Sequence, residues 1–206
     1  TDRLGMCIMN GIDLIYRTAG KLFADKSFGS VTMGEIAEKC KMSKANLYHH
    51  FSSKNDLYEK IILRALQNTS DILNKAEQID DTYVNKIKFT AKEHLNQLIL
   101  NPQEYKLLAR ESSDLGNKDR TPFSTGLFQQ NLSQMFNLIE QAKKNKEIIE
   151  QCDSRILAFQ LISPNFSYLV FQRMFVQVFE ELDDTNYEHF SETLTENLLN
   201  GIVRND

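Results

Sequence analysis

The sequence predicts an all-α fold, on three observations. Apolar residues recur at spacings of three and four along most of the chain, the period of an amphipathic helix. Strand-like alternation is hard to find. Only eight Gly and three Pro punctuate 206 residues, few breakers for a chain of this length. A chain of this length holds one or two domains and can bury a real core.

The first helix is expected over about Asn10 to Lys26, where Ile12, Ile15, Ala19, Leu22 and Phe23 form one apolar stripe. Phe28-Gly29-Ser30 breaks it, with Gly29 available for a left-handed C-terminal position. Thr32-Met33-Gly34-Glu35 fits a capping box: the hydroxyl takes an orphan N–H and the Glu reaches back. The second helix is about two turns long, turns Ile36 and Ala37 inward and ends near Cys40. Lys41-Met42 makes the turn. Ser43 caps a third helix over Lys44 to His50, with Leu47 and Phe51 four apart on its inner side. Ser53-Lys54-Asn55-Asp56 opens a long fourth helix through Leu57, Ile61, Ile62, Ala65, Leu66 and Ile72.

Five more helical patterns follow, for nine in all. One runs from about Asp81 to Leu100 and stops at Asn101-Pro102. A short one covers Gln103 to Arg110. The polar segment Ser112 to Thr121 reads as a loop. Pro122 suits the first turn of a helix reaching Lys144. Cys152-Asp153-Ser154 begins the next, which ends near Glu181 and should kink or break at Pro164. Leu182 to Thr185 is a turn, and the last helix spans Asn186 to Val203.

Composition narrows the function. No apolar run approaches the ~20 residues of a membrane span, and TDRLGMCIMNG has neither the apolar core nor the cleavage pattern of a signal peptide. A cytoplasmic protein is expected. Cys7, Cys40 and Cys152 are odd in number and widely spaced, which argues against a disulfide framework or a zinc site and for inert thiols in a reducing compartment. No cofactor or metal is expected. Nor is an enzyme, since no nucleophile–base pattern, metal spacing or phosphate loop occurs.

The net charge of −4 looks wrong for a nucleic-acid binder until it is divided. Residues 1–60 carry nine Lys and Arg against seven Asp and Glu, a net of +2, and residues 61–206 carry fifteen against twenty-one, a net of −6. Phosphate binding needs local positive charge, not a basic whole.

The stretch Val31 to Leu57 therefore reads as a helix-turn-helix, whose second helix lies in the DNA major groove. On Ser43-Lys44-Ala45-Asn46-Leu47-Tyr48-His49-His50, Leu47 faces inward. Lys44, Ala45, Tyr48 and His49 share the outward surface. Lys44 can donate to guanine or phosphate, Asn46 can pair with adenine, and Ala45 permits close approach. The Tyr48 hydroxyl can reach a phosphate oxygen. Lys54, beside the exposed N–H groups of the fourth helix, can bind a phosphate. His50 is expected to be structural, and the adjacent His49 and His50 splay about 100° apart, too far for a metal pair.

The order of residues resembles the TetR family of bacterial transcriptional regulators. The resemblance rests on Ile15, Ala19, Leu22, Phe23, Gly29, Thr32, Ile36-Ala37, Met42-Ser43, Leu47-Tyr48, His50-Phe51, Lys54 and Leu57. It covers about residues 10–61, roughly a quarter of the chain. It implies a TetR-like fold of nine helices: an N-terminal helix-turn-helix domain over residues 1–53, and a helical ligand-binding and dimerisation domain over 54–206. It also implies a homodimer on a double-stranded DNA operator, released by a small-molecule effector of unknown identity. Thr32, Ser43, Lys44, Ala45, Tyr48, His49 and Lys54 are the DNA contacts it implies.

Departures are expected to matter locally. Cys40-Lys41-Met42 stands where the family usually has Ala-Gly-Val, so Lys41 is expected in the left-handed region at a cost of about 1 kcal/mol. Ala45 and Asn46 also depart, and the operator sequence stays open.

The rest of the chain carries weaker signals. Phe89, Phe123, Phe128, Met135, Phe136, Phe159, Phe166 and Met174 are candidates to line a ligand cavity, with His94, Arg110 and Arg173 as polar anchors. Core packing explains most of them equally well. The last two helices have wide apolar faces, which the resemblance assigns to a dimer bundle. Outside this class stand a helical enzyme and a helical adaptor without DNA binding, and against the adaptor stand Lys44, Tyr48 and Lys54.

Overall fold

A computed structural model of the chain describes residues 11–113, 123–178 and 187–203. Nine α-helices occur among them: α1 (Gly11–Asp25), α2 (Met33–Lys39), α3 (Lys44–His50), α4 (Lys54–Gln78), α5 (Tyr83–Leu100), α6 (Pro102–Ser113), α7 (Phe123–Lys144), α8 (Ser154–Val178) and α9 (Tyr187–Leu199). A single 3₁₀ turn covers Phe28–Ser30. Extended pairing among the described residues is one isolated bridge, Ile148 with Val203.

The caps lie where the hydroxyl residues put them. Thr32 Oγ1 accepts from Glu35 N at 3.1 Å, Ser43 Oγ from Asn46 N at 3.1 Å, and Thr82 Oγ1 from Asn85 N at 3.2 Å. Each takes one N–H of a first turn that has no intrahelical partner. The capping box at Thr32 is only half formed, because the Glu35 carboxylate pairs with Lys26 instead. A reciprocal version opens α4: Asp56 N donates to Ser53 Oγ at 3.0 Å, and Asp56 Oδ2 accepts from Ser52 N at 2.8 Å.

Two helix ends are Schellman motifs with lysine where glycine is usual. After α2, Lys41 N donates to Glu38 O and Met42 N to Ala37 O, both at 3.0 Å, with Lys41 at φ 54°. After α7, Lys146 N donates to Lys143 O and Glu147 N to Ala142 O, both at 2.9 Å, with Lys146 at φ 59°. The left-handed Lys41 agrees with the expectation. Gly29 does not take a left-handed φ, because the 3₁₀ turn, and not an αL residue, follows α1.

Other differences are local. Ser112 and Ser113 are helical. The remainder of the expected polar loop, and the turn at 182–185, lie outside the described residues. α8 runs through Pro164 without a break, although the ring removes the N–H that would bond to the Gln160 carbonyl.

The chain divides into two compact units, Thr1–Ala65 with Gln103–Phe123, and Leu66–Pro102 with Ser124–Asp206. Compactness thus groups α6 with α1, α2, α3 and the first half of α4, whereas the sequence reading places the boundary at residue 53. In the first unit Ile15, Phe23, Ile36, Leu47, Leu57, Ile61 and Tyr105 are fully buried. In the second, Leu73, Ile87, Met135, Leu138, Ile139, Leu157, Leu161 and Leu199 form one core.

Candidate nucleic-acid interface

In the first unit α1 packs on α2, and α2 on α3. Leu47 alone on α3 is buried, at 0% exposure, and seats that helix on the core. Lys44, Ala45, Asn46, Tyr48, His49 and His50 are all exposed. Tyr48 is 45% exposed, a large value for an aromatic side chain, and the Lys44 ammonium lies 5.9 Å from the centre of its ring. α3 thus presents a continuous outward surface that is cationic at its start and aromatic and imidazole-bearing at its end. Thr32 and Ser43, also exposed, cap α2 and α3. His50, expected to be structural, is exposed. Its ring stands 5.4 Å from that of His49 and 6.4 Å from that of Phe51.

Lys54 is placed differently from the open phosphate anchor read from the sequence. Its ammonium donates to Phe28 O at 2.8 Å and Val31 O at 2.9 Å, and it sits 4.3 Å from the centre of the Phe28 ring. Two of its three N–H donors are therefore spent on the segment that leads into α2. The expected contact with DNA falls to the third.

Around this clamp is a network the sequence did not reveal. Arg110 Nη1 donates to Phe23 O and Arg110 Nη2 to Tyr58 Oη, both at 3.0 Å, and Tyr58 Oη donates to Glu111 Oε1 at 2.7 Å. The Tyr58 ring meets Phe23 and Phe28 edge-on, each at 5.1 Å. Burial raises the Tyr58 hydroxyl pKa above its ordinary value, so it stays a neutral donor. No local period links residues 23, 28, 58 and 110, and for that reason the signal was absent from the sequence.

Beside it lies an ionic cluster. Arg64 pairs with Asp13 at 2.7 Å and more loosely with Glu104 at 3.4 Å. Burial pushes the Glu104 carboxyl up to about 7, against the pull of Arg64 and Arg17. Asp56 is pushed up by burial, but the Ser52 N–H and hydroxyl and Lys60 outweigh that and hold it below the usual carboxylate range.

The candidate ligand residues are not brought together. Arg110 belongs to the first unit, in the network above. Phe159 and Met174 are 69% and 52% exposed on α8, too open for the lining of an internal cavity. Met135 is core, Phe89 packs against that core, and Phe128 is half-buried. The side chains of Phe123 and Arg173 lie outside the described residues. His94 and Phe166 do meet, with ring centres 5.6 Å apart. His94 is buried, and Asn165 Nδ2 bonds both to its Nδ1 at 3.1 Å and to Ala91 O at 3.0 Å. Burial drops the His94 imidazole to about 4, so it is neutral at pH 7. Among the described residues no three His, Cys, Asp or Glu side chains gather as a metal would require, and no helix is long and apolar enough to cross a membrane.

A short capped helix, a tight turn and a second helix with one buried residue define a helix-turn-helix protein. Residues 15–61 match the family described as bacterial regulatory proteins, tetR family. A 50-residue segment is 38% identical to the biofilm operon icaADBC HTH-type negative transcriptional regulator IcaR of Staphylococcus aureus (strain Newman), covering 24% of this chain and 27% of that protein. Another segment is 43% identical over 61 residues to the uncharacterized HTH-type transcriptional regulator YuxN of Bacillus subtilis (strain 168), covering 26% of this chain and 21% of that one. The chain thus spans about a quarter of the length of these relatives.

The whole fold has wider likeness. The ketosteroid transcriptional regulator KstR2 of Mycobacterium tuberculosis superposes with a TM-score of 0.78 at 12% identity, over 98% of this chain and 100% of that one. The TetR family transcriptional regulator PfmR from Thermus thermophilus gives 0.73 at 19% identity, over 94% and 97%. The helix-turn-helix segment thus resembles the bacterial regulatory proteins of the tetR family, and the whole chain shares its fold with solved regulators of that family.

Proposed function

We propose that this chain is a transcriptional repressor that binds a palindromic DNA operator as a homodimer and is released by a small-molecule effector. The observation that carries the DNA reading is the outward surface of α3. Six exposed side chains, Lys44, Ala45, Asn46, Tyr48, His49 and His50, stand on a helix fixed from behind by Leu47 alone. Lys44 and Asn46 supply groups for base edges, and Ala45 and Tyr48 supply close approach and a phosphate donor. Thr32, Ser43 and Lys54 complete the contact set. Repression is the activity that the name of the Staphylococcus aureus relative carries.

The dimer is supported by α8. Ile156, Phe159, Val170, Phe171 and Met174 are 46–69% exposed and share one stripe at helical spacing. An exposed apolar stripe of this length favours burial against another surface. Two-fold symmetry then sets the reader helices about 34 Å apart, one duplex turn, or a multiple of it.

In this reading residues 1–53 contact DNA and residues 54–206 regulate. The link is α4, whose Lys54–Ala65 portion belongs to the first compact unit and Leu66–Gln78 portion to the second. An effector acts by its differential affinity for two conformers, and by linkage DNA weakens effector binding by the same factor. The buried His94–Asn165 pair, with the half-buried Phe166 against His94, is the candidate polar anchor for it.

Enrichment from a library of genomic fragments tests the reading. The wild-type chain should select duplexes with an inverted repeat, bind them as a dimer by light scattering, and lose affinity steeply with salt. A chain that binds no fragment at low salt would sink it. Replacing Lys44 with Ala should weaken the selected duplex more than unrelated DNA.

A further inference from the structure

We propose that Arg110 of α6 is a positioning residue for DNA reading, acting on the start of α2 through Tyr58, Phe28 and Lys54. The proposal rests on the DNA reading above and adds the device that sets the reader's posture.

The contacts form one chain inside the first compact unit. Phe23 is in the last turn of α1, where carbonyls lack intrahelical donors. Arg110 Nη1 fills that need at 3.0 Å, which pins α6 to the end of α1. Its Nη2 fixes the Tyr58 hydroxyl at 3.0 Å, and Tyr58 in turn donates to Glu111. The forked guanidinium thus sets α1 and α4 against α6 at once, which a point-charge ammonium cannot do as well. The Tyr58 ring abuts Phe28 edge-on at 5.1 Å. Phe28 also stacks on Phe23 at 5.8 Å and carries the Lys54 ammonium at 4.3 Å from its ring centre. Lys54 bonds to Val31 O, one residue before the Thr32 cap of α2.

Each link is short and directional, so a shift of α6 reaches the α2 cap through contacts and not through the chain. Arg110, Tyr58 and Phe28 are not among the proposed DNA contacts, so the effect of Arg110 on DNA is positional.

The test uses the full-length chain and a duplex that the wild type enriches from a random-sequence library. Arg110→Met should weaken binding by roughly tenfold, the size expected of a coupling carried by such a network. Measurement is made well below the thermal midpoint, with helicity confirmed by circular dichroism. Arg110→Lys should recover only part of the loss. Amide hydrogen exchange at residues 31–36 should rise in Arg110→Met, although position 110 is distant in sequence. In a Phe28→Leu background, which cuts the chain at its middle, the effect of Arg110→Met on affinity should shrink to about twofold or less.

Unchanged affinity in a folded Arg110→Met protein overturns the proposal. So does full additivity with Phe28→Leu, or unchanged exchange at residues 31–36. A wild type that enriches no duplex overturns the DNA reading itself, and the positioning role with it.

Discussion

Replacing Lys54 with Met separates the two roles that this residue can play. Met keeps an unbranched apolar stem and removes the ammonium. The ammonium donates to Phe28 O at 2.8 Å and to Val31 O at 2.9 Å, and lies 4.3 Å from the Phe28 ring centre. A hydrogen bond from a charged group contributes about 1.5–3 kcal/mol, and an exposed cation–π contact about 0.5–1 kcal/mol. Lys54 is only half-buried, so water can reach part of what is vacated. A loss of about 2–4 kcal/mol is expected. In a chain of this size that lowers the thermal midpoint by roughly 5–12 °C. Differential scanning calorimetry at pH 7 and moderate salt reads it directly.

A pure phosphate contact predicts the opposite pattern. The midpoint would stay within about a degree, and binding would weaken equally on all DNA with the salt slope reduced by about one. That result would refute the clamp. A lower midpoint with an unchanged salt slope would show that the third N–H does not reach DNA.

Three further outcomes follow from other positions. Lys41→Gly should stabilise by about 0.5–1 kcal/mol, because glycine relieves the left-handed strain at φ 54° and gives back part of it as unfolded-chain entropy; a lower midpoint in urea would contradict this. Glu104, raised to about 7, contributes stability that is complete below about pH 4.5 and is lost as pH rises towards 7. Glu104→Gln should therefore gain up to about 3 kcal/mol over wild type above pH 7, and a variant less stable than wild type at pH 8 would refute the burial argument. His94, lowered to about 4, contributes stability present above about pH 6.5 and lost as pH falls towards 4, and His94→Leu should flatten that acid limb. Over their shared window the two slopes oppose each other, so wild-type stability should change little between about pH 4.5 and 6.5. An NMR titration placing His94 near 6.5 would remove this compensation.

What the sequence alone determined is what neighbouring residues decide. Thr32 and Ser43 take N–H groups three residues on, so their caps were legible as hydroxyl residues ahead of apolar periods; Thr82 caps α5 in the same way, although the sequence reading starts that helix at about Asp81. The left-handed Lys41 was legible because it stands where the resembling family usually has glycine, the residue that takes a positive φ at least cost. The outward set on α3 was legible from Leu47 and the 100° step of a helix. Glu35 was misread because its capping role is local while its partner, Lys26, lies nine residues back in another element. At Pro164 the break offered beside a kink does not occur, because one missing hydrogen bond does not end a helix whose other side chains stay packed.

The tertiary structure decided everything that joins distant positions. It gave Lys54 to the carbonyls of Phe28 and Val31, moved Arg110 from a ligand role to a grip on Phe23 and Tyr58, and left Phe159 and Met174 on the outside of α8. Helical period says which residues share a face, but not which face another helix covers. Residues 23, 58 and 110 meet only because α1, α4 and α6 pack together, and that choice is made by the whole core.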